Sequence, residues 1–79
     1  MKDKIIEKII ERSSTIWSVD PDTLSKETNF EQFEPKSVHY SQMTTFLEDE
    51  FDIEVPYMKF KRCKTIEEAS EYILELIEE

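Results

Sequence analysis

The chain has 79 residues and a formal net charge of −9, because nineteen Asp and Glu stand against ten Lys and Arg. A chain of this length is expected to form one small domain over residues 1–79, with no room for a deep catalytic cavity. The negative charge disfavours nucleic acid and anionic membranes as partners. One cysteine, one histidine and no glycine argue against an internal disulfide, a zinc site and a glycine-rich phosphate loop.

The first predicted element is an amphipathic helix from Asp3 to about Trp17. Isoleucines recur there at helical spacing, with charged residues on the opposite face. The isoleucines are Ile5, Ile6, Ile9, Ile10 and Ile16. Charge alternates with isoleucine in this segment, and the chain has no apolar run of about 18 residues, so we expect a cytoplasmic protein without membrane insertion.

A long loop is predicted from Ser18 to Lys36, where Pro21 and Pro35 favour turns. So long a connection without regular structure is unusual in a small domain, and we expect apolar side chains to attach it to the core. These anchors are Leu24, Phe30 and Phe33.

The second helix is predicted from Ser37 to Phe51, and Pro56 ends the regular structure after it. Its expected apolar stripe consists of Val38, Met43, Phe46, Leu47 and Phe51. A short helix follows between Pro56 and Thr65, with Met58 or Phe60 directed inward. The last helix is predicted from Ile66 to about Ile77, and Thr65 with Glu68 forms a capping box at its start.

The order of these parts resembles the acyl carrier protein family over nearly the whole chain. A serine opens the second helix, E-D-E-F-D-I-E-V-P closes it, and T-I-E-E-A opens the last one; Ser37, Pro56 and Thr65 lie at the family's separations. The resemblance implies an all-α, four-helix bundle of three main helices and one short helix, with a long loop between helices one and two. It also implies a carrier that is not an enzyme, while the high net charge and the small apolar surface favour a monomer.

The resemblance assigns the family's covalent cofactor, 4′-phosphopantetheine, to Ser37. Val38 stands in the place of the motif's leucine, and Phe33 in that of the leucine four residues before the serine. The implied function is to hold acyl intermediates as thioesters for lipid, polyketide or lipopolysaccharide biosynthetic enzymes. The implied partners are a phosphopantetheinyl transferase and the enzymes that load and accept the acyl group.

Two residues depart from the family motif, because Glu34 and Lys36 replace its glycine and aspartate. The aspartate helps the transferase to recognise its substrate, so Lys36 argues against modification by a housekeeping transferase, and the loss of acids around the serine indicates a specialised carrier. Considered without the family spacing, Ser37 is also consistent with a simple helix N-cap. Two further functions stay open: a protein-interaction module that has lost the prosthetic group, and an aminoacyl or peptidyl carrier.

Charge around the second helix predicts where partners bind. Carboxylates are absent from its first turn but present further along, and a basic segment follows Pro56. The predicted partner-binding residues are Lys36, Val38, His39, Gln42, Glu48, Asp49, Glu54, Lys59, Lys61 and Arg62. The basic segment, which also includes Lys64, is open to four interpretations: it pairs with acids of helix two, meets an acidic partner, contacts an anionic substrate or is simply solvated.

Three side-chain environments complete the sequence-based expectations. His39 is expected to be an exposed polar residue, Cys63 a half-buried thiol, and the acids from Glu48 to Glu54 a solvated face without a metal. The carried acyl group is expected to fold between helix two and the last helix. The space would be lined by Met43, Phe46, Leu47 and Ile66, where Phe46 favours a short or polar acyl group or one that is held outside.

Overall fold

Four α-helices make up the computed structural model, which describes residues 1–79. They are α1 (Lys2–Trp17), α2 (Ser37–Phe51), α3 (Tyr57–Lys61) and α4 (Ile66–Glu78). The predicted four-helix bundle and its helix order are therefore confirmed, with the bounds of the three long helices within one residue of those expected. None of the helices combines the length and the hydropathy of a membrane span.

The core is built from one face of each helix together with the loop between α1 and α2. Twelve apolar residues are buried: Ile5, Ile9, Leu24, Phe30, Tyr40, Met43, Leu47, Val55, Phe60, Ile66, Ala69 and Ile73. Burial of each large aliphatic or phenylalanine side chain contributes about 1.5–3 kcal/mol. Because the single cysteine cannot form an internal disulfide, this packing is the main source of the stability of the fold.

The loop between α1 and α2 is ordered and packs on the core as predicted. It contains two 3₁₀ turns, Pro21–Thr23 and Phe30–Phe33, each opened by a side-chain cap. Phe30 is 1% exposed, Leu24 is buried and Phe33 is half-buried. All three expected anchors are confirmed.

Backbone hydrogen bonds join this loop to the start of α4. The bonds run from Phe30 N–H to Lys64 O (2.8 Å), from Ile66 N–H to Thr28 O (3.0 Å) and from Glu67 N–H to Lys26 O (2.8 Å). The first N–H groups of a helix lack partners within it, and here two of them donate to loop carbonyls. The loop and the last helix therefore stabilise each other.

The start of α4 carries the side-chain cap that the sequence predicts. Thr65 Oγ1 accepts a hydrogen bond from Glu68 N–H at 3.1 Å. The carboxylate of Glu68 accepts from the Lys64 N–H at 3.5 Å and from the Thr65 hydroxyl at 3.4 Å. The hydroxyl half of the box is confirmed, while the carboxylate reaches one residue further back than in the standard arrangement.

The orientation of α2 differs from the expected apolar stripe at its first turn. Val38 is 54% exposed, whereas Tyr40 and Thr44 are buried beside Met43 and Leu47. The stripe begins at Tyr40 because its ring packs edge-on against core aromatic rings, at 6.4 Å between centroids. In α3, Phe60 is the residue directed inward, and Met58 is 61% exposed.

Candidate functional site at the start of α2

Ser37 is the first residue of α2, and its side chain is exposed. The residue in the N-cap position is Lys36, whose backbone is extended (φ −107°, ψ 168°) and whose carbonyl oxygen accepts from His39 N–H at 3.0 Å. The interpretation of Ser37 as the helix N-cap is therefore wrong. Its hydroxyl lies one position inside the helix and has no hydrogen-bond partner in the protein.

The first turn of α2 is held by His39. Its Nδ1 accepts a hydrogen bond from Lys36 N–H at 2.9 Å, which requires that this nitrogen carries no proton. The imidazole lies edge-on to the ring of Trp17, with 5.4 Å between centroids, and Trp17 in turn stacks on Phe33 at 4.8 Å. His39 is half-buried, so the expectation of an exposed polar side chain is wrong.

Tyr57 connects α3 to the same turn, a contact that no sequence pattern indicated. Its hydroxyl donates to the carbonyl oxygen of Ser37 at 3.4 Å, and its ring is perpendicular to that of Tyr40, at 6.5 Å. Burial, assisted by the charge of Glu31, raises the pKa of Tyr40. The residues that follow Ser37 and Tyr57 in sequence, Val38 and Met58, are two of the three exposed large hydrophobic side chains of the molecule.

Five cationic side chains lie at the start of α2 and on the segment from α3 to α4. Lys36, Lys59, Lys61, Arg62 and Lys64 are all exposed, and none has a carboxylate within 4.0 Å. The ion pairs of the protein instead involve Lys2, Lys8 and Lys26. Pairing of the basic segment with acids of α2, one of the four interpretations, is therefore wrong.

Among the acidic residues of α2 and of the turn after it, some make hydrogen bonds or ion pairs and others make none. Glu48 is half-buried, and its Oε2 accepts from Val55 N–H at 2.9 Å, which closes the turn after α2. Glu50 pairs with Lys8 at 2.9 Å. Asp49 and Glu54 are exposed without an ion pair. No group of three or more His, Cys, Asp or Glu side chains is arranged to bind a metal.

The apolar space expected between α2 and α4 is not open. Met43, Leu47 and Ile66 are at most 1% exposed, and neither of the two surface grooves of the protein includes them. Phe46 faces α1 instead, where the guanidinium of Arg12 lies 5.3 Å from its ring centroid. The prediction that these four residues line one space is wrong, because three are packed in the core and the fourth is on another face.

Cys63 follows α3 and is half-buried, as predicted. Burial and the nearby charge of Glu68 raise the pKa of its thiol, which keeps it protonated and weakly nucleophilic at neutral pH. The thiol contacts the Lys59 carbonyl oxygen at 3.8 Å. This cysteine is therefore a packing residue, not a reactive group.

Comparison with known proteins identifies the family of the chain. No family model matches the chain. The acyl carrier protein of Lactobacillus johnsonii (strain CNCM I-12250 / La1 / NCC 533) is 32% identical over 73 residues, which cover 91% of both chains. The chain belongs to the acyl carrier protein family. Acyl carrier proteins are carriers and not enzymes, so the inferred absence of catalytic activity fits this membership.

Two further acyl carrier proteins agree with this membership. That of Lactobacillus acidophilus (strain ATCC 700396 / NCK56 / N2 / NCFM) is 30% identical over 73 residues, covering 91% of both chains. That of Rubrobacter xylanophilus (strain DSM 9941 / JCM 11954 / NBRC 16129 / PRD-1) is 29% identical over 75 residues, covering 94% of this chain and 93% of the relative. Proteins of the acyl carrier protein family in general carry phosphopantetheine.

Proposed function

We propose that this protein carries acyl intermediates as thioesters on 4′-phosphopantetheine attached to Ser37. The observation that carries the proposal is the exposed hydroxyl of Ser37 at the first position of α2, free of any internal hydrogen bond. A transferase can reach this oxygen without unfolding the helix. The protein supplies the position of the group and catalyses no step itself.

The residues around Ser37 fit a phosphodiester. The N–H groups of the first helical turn and the helix dipole favour a negative charge at this end of α2. Lys36 adds an exposed cation immediately before the serine, and no carboxylate occurs between residues 36 and 47. The bound group would supply the thiol on which an acyl thioester forms, while Tyr57 and His39 hold the turn that presents it.

Partner enzymes in this proposal meet two regions of opposite charge. Near the serine they contact cations, exposed apolar side chains and two neutral polar residues. Further along α2 and in the turn after it they contact carboxylates. The first region consists of Lys36, Val38, His39, Gln42, Met58, Lys59, Lys61 and Arg62, and the second of Glu48, Asp49 and Glu54. Partners with an acidic surface beside their active site would be favoured, at about 0.2–1 kcal/mol for each exposed pair.

Covalent modification tests the proposal directly. The purified protein is incubated with coenzyme A and a broad-range phosphopantetheinyl transferase, and its intact mass is measured. We expect a mass gain of one phosphopantetheine, located on Ser37 by peptide fragmentation and lost in Ser37→Ala. The matched control is Ser41→Ala, which removes another exposed hydroxyl one helical turn later and should leave the gain unchanged.

The outcomes of this experiment separate the candidate functions. No mass gain with several transferases would overturn the carrier proposal and favour the interaction module, for which the replacement of the motif's aspartate by Lys36 is the supporting observation. Once the arm is attached, loading enzymes specific for acyl or aminoacyl groups identify the class of cargo. We expect acyl groups of lipid, polyketide or lipopolysaccharide synthesis.

A further inference from the structure

A shallow groove of about 350 Å³ lies between α1 and α2. Five of its six lining residues are polar, with hydroxyls, an amide, a guanidinium and a carboxylate around one aromatic ring. The lining residues are Arg12, Ser41, Gln42, Thr45, Phe46 and Asp49. The groove therefore offers hydrogen-bond donors and acceptors together with apolar surface.

Arg12, one of the residues that line this groove, has an unused hydrogen-bonding group. Its Nε is buried without a hydrogen-bond partner, and its guanidinium has no carboxylate within 4.0 Å. Three other side-chain atoms are buried without a partner, on Ser13, Trp17 and Tyr72, but none of these residues lines a groove. A buried donor of this kind is rare in native proteins and needs a partner to offset its desolvation.

The groove begins one helical turn from Ser37. Ser37, Ser41 and Thr45 are spaced four residues apart, so they form one row along the surface of α2. Thr45 lies about 12 Å along the helix axis from Ser37. A flexible chain of the length of phosphopantetheine spans this distance when it is attached at Ser37.

We propose that this groove binds the distal, amide-containing half of the arm together with a short polar acyl group, with Arg12 donating to a carbonyl oxygen. The inference rests on the proposed function. Amides both donate and accept, which matches a lining of Arg12, Gln42 and Asp49. A long alkyl chain would find only Phe46 as an apolar partner here, and the core is closed to it.

Side-chain NMR of Arg12 tests the inference. The resonances to follow are the ¹⁵Nε–¹Hε resonance of Arg12 and the backbone amide resonances of Gln42 and Thr45. They are compared between the unmodified protein, the protein that bears phosphopantetheine and the protein loaded with acetoacetyl. We expect all three to shift when the arm is attached, and the Arg12 resonance to shift further with acetoacetyl. Hexanoyl, which is longer and has no second carbonyl, should give no further shift at Arg12.

Variants test whether the arm lies in this groove or on another surface of the protein. Arg12→Gln should remove the arm-dependent shifts at Gln42 and Thr45, whereas Arg62→Gln, which alters an exposed arginine after α3, should leave them intact. If Arg12→Gln fails to fold, Ser41→Phe fills the groove from an exposed position and should abolish the same shifts.

Different results would overturn the proposed function and the inference about the groove. Absence of modification at Ser37 would overturn the proposed function and this inference together. Full modification at Ser37 with unchanged resonances at Arg12, Gln42 and Thr45 would overturn the inference alone. Equal shifts in the wild type and in Ser41→Phe would also contradict it, because the arm would then lie elsewhere.

Discussion

Three residues of this glycine-free chain adopt left-handed backbone conformations, each at the end of a helix or 3₁₀ turn. They are Ser18 (φ 53°), Glu34 (φ 50°) and Asp52 (φ 53°). Glycine is the usual residue at such ends, because a Cβ makes the left-handed region unfavourable by about 1–2 kcal/mol. Asp and Ser offset part of this by local hydrogen bonding, while Glu34 has a longer side chain that does so poorly.

Glu34→Gly is therefore expected to stabilise the protein. Relief of the left-handed strain outweighs the additional freedom that glycine gives the unfolded chain, which is worth about 0.4–1 kcal/mol, so the free energy of unfolding should rise by about 0.5–1 kcal/mol. Urea denaturation followed by Trp17 fluorescence measures it. Glu31→Gly, in the same 3₁₀ turn but with negative φ, should destabilise the protein. A loss of stability in Glu34→Gly would contradict the argument.

At the scale of elements, α4 and α2 differ in how their first turns are capped. Thr65 caps α4 with its hydroxyl, as its residue type and spacing predict. Lys36 begins α2 without any side-chain acceptor, and only His39 compensates by accepting the Lys36 N–H. The helix that presents Ser37 thus begins with a weaker cap than the helix that closes the core.

Lys36→Asp should strengthen the start of α2. A capping carboxylate contributes about 1 kcal/mol through its hydrogen bond, and its charge adds about 0.3–1 kcal/mol by interaction with the helix dipole. Urea denaturation measures the gain in the free energy of unfolding. Lys36→Asn supplies the cap without the charge, so its gain should be smaller.

The same two variants examine recognition by the transferase. If the aspartate of the family motif acts through its charge, the rate of modification at Ser37 should rise in Lys36→Asp and not in Lys36→Asn. Equal rates in the wild type and both variants would show that position 36 does not govern recognition. That result would leave the expected gain in stability unaffected.

Helix bounds were predictable because local signals mark them, while the rotation of α2 was not. Pro56 and Thr65 fix where regular structure stops and starts, whichever way the helices face. Val38 and Tyr40 lie two residues apart and therefore on nearly opposite faces of α2, so burial of Tyr40 leaves Val38 exposed. The packing of Tyr40 on Phe30 and Phe60 decides the matter, and those contacts are distant in sequence.

The position proposed for the carrier serine followed from family spacing, but the side chains around it did not. Tyr57 reaches Ser37 across 20 positions of sequence, and His39 is fixed by Trp17 at the far end of α1. In the sequence, nothing distinguishes Arg12 from the other charged residues of an amphipathic helix. Only the packing of α1 against α2 brings its guanidinium over Phe46 and beside the hydroxyl row of α2.

At the scale of the whole molecule, a net charge of −9 on 79 residues opposes folding by self-repulsion. Asp49, Asp52 and Glu54 are close in sequence, exposed and without ion pairs. The five ion pairs are largely on the surface, where each contributes little. Screening by salt should therefore remove more repulsion than attraction.

The thermal midpoint of unfolding is accordingly expected to rise between low ionic strength and about 0.15 M NaCl, where the Debye length is about 8 Å. Circular dichroism at 222 nm at constant pH measures it. Asp49→Asn with Glu54→Gln, which reduces the repulsion, should raise the midpoint at low salt and make it less sensitive to salt. A midpoint that falls as salt is added would indicate that the ion pairs of Lys2 and Lys8 dominate.

Stability at alkaline pH follows from the direction of the resolved pKa shifts. Burial raises the pKa values of Tyr40, Cys63 and Tyr72, and a hydrogen bond with Glu50 raises that of Lys8. In Lys2, partial desolvation opposes its pairing with Glu71 and Glu67, and the net effect is again upward. Every one of these groups holds its proton more tightly in the folded state than in the unfolded state.

The free energy of unfolding should therefore fall from about pH 9 upward, because Cys63, with an ordinary pKa of 9.0, ionises first in the unfolded chain. Tyrosines extend the loss above pH 10. Urea titrations at half-unit intervals from pH 7 to pH 11 measure the profile. Cys63→Ser should delay the onset, and Cys63→Ser with Tyr40→Phe should flatten the profile further. If the double variant lost stability as steeply as the wild type, growing negative charge over the whole surface, and not burial of these two groups, would control the alkaline limit.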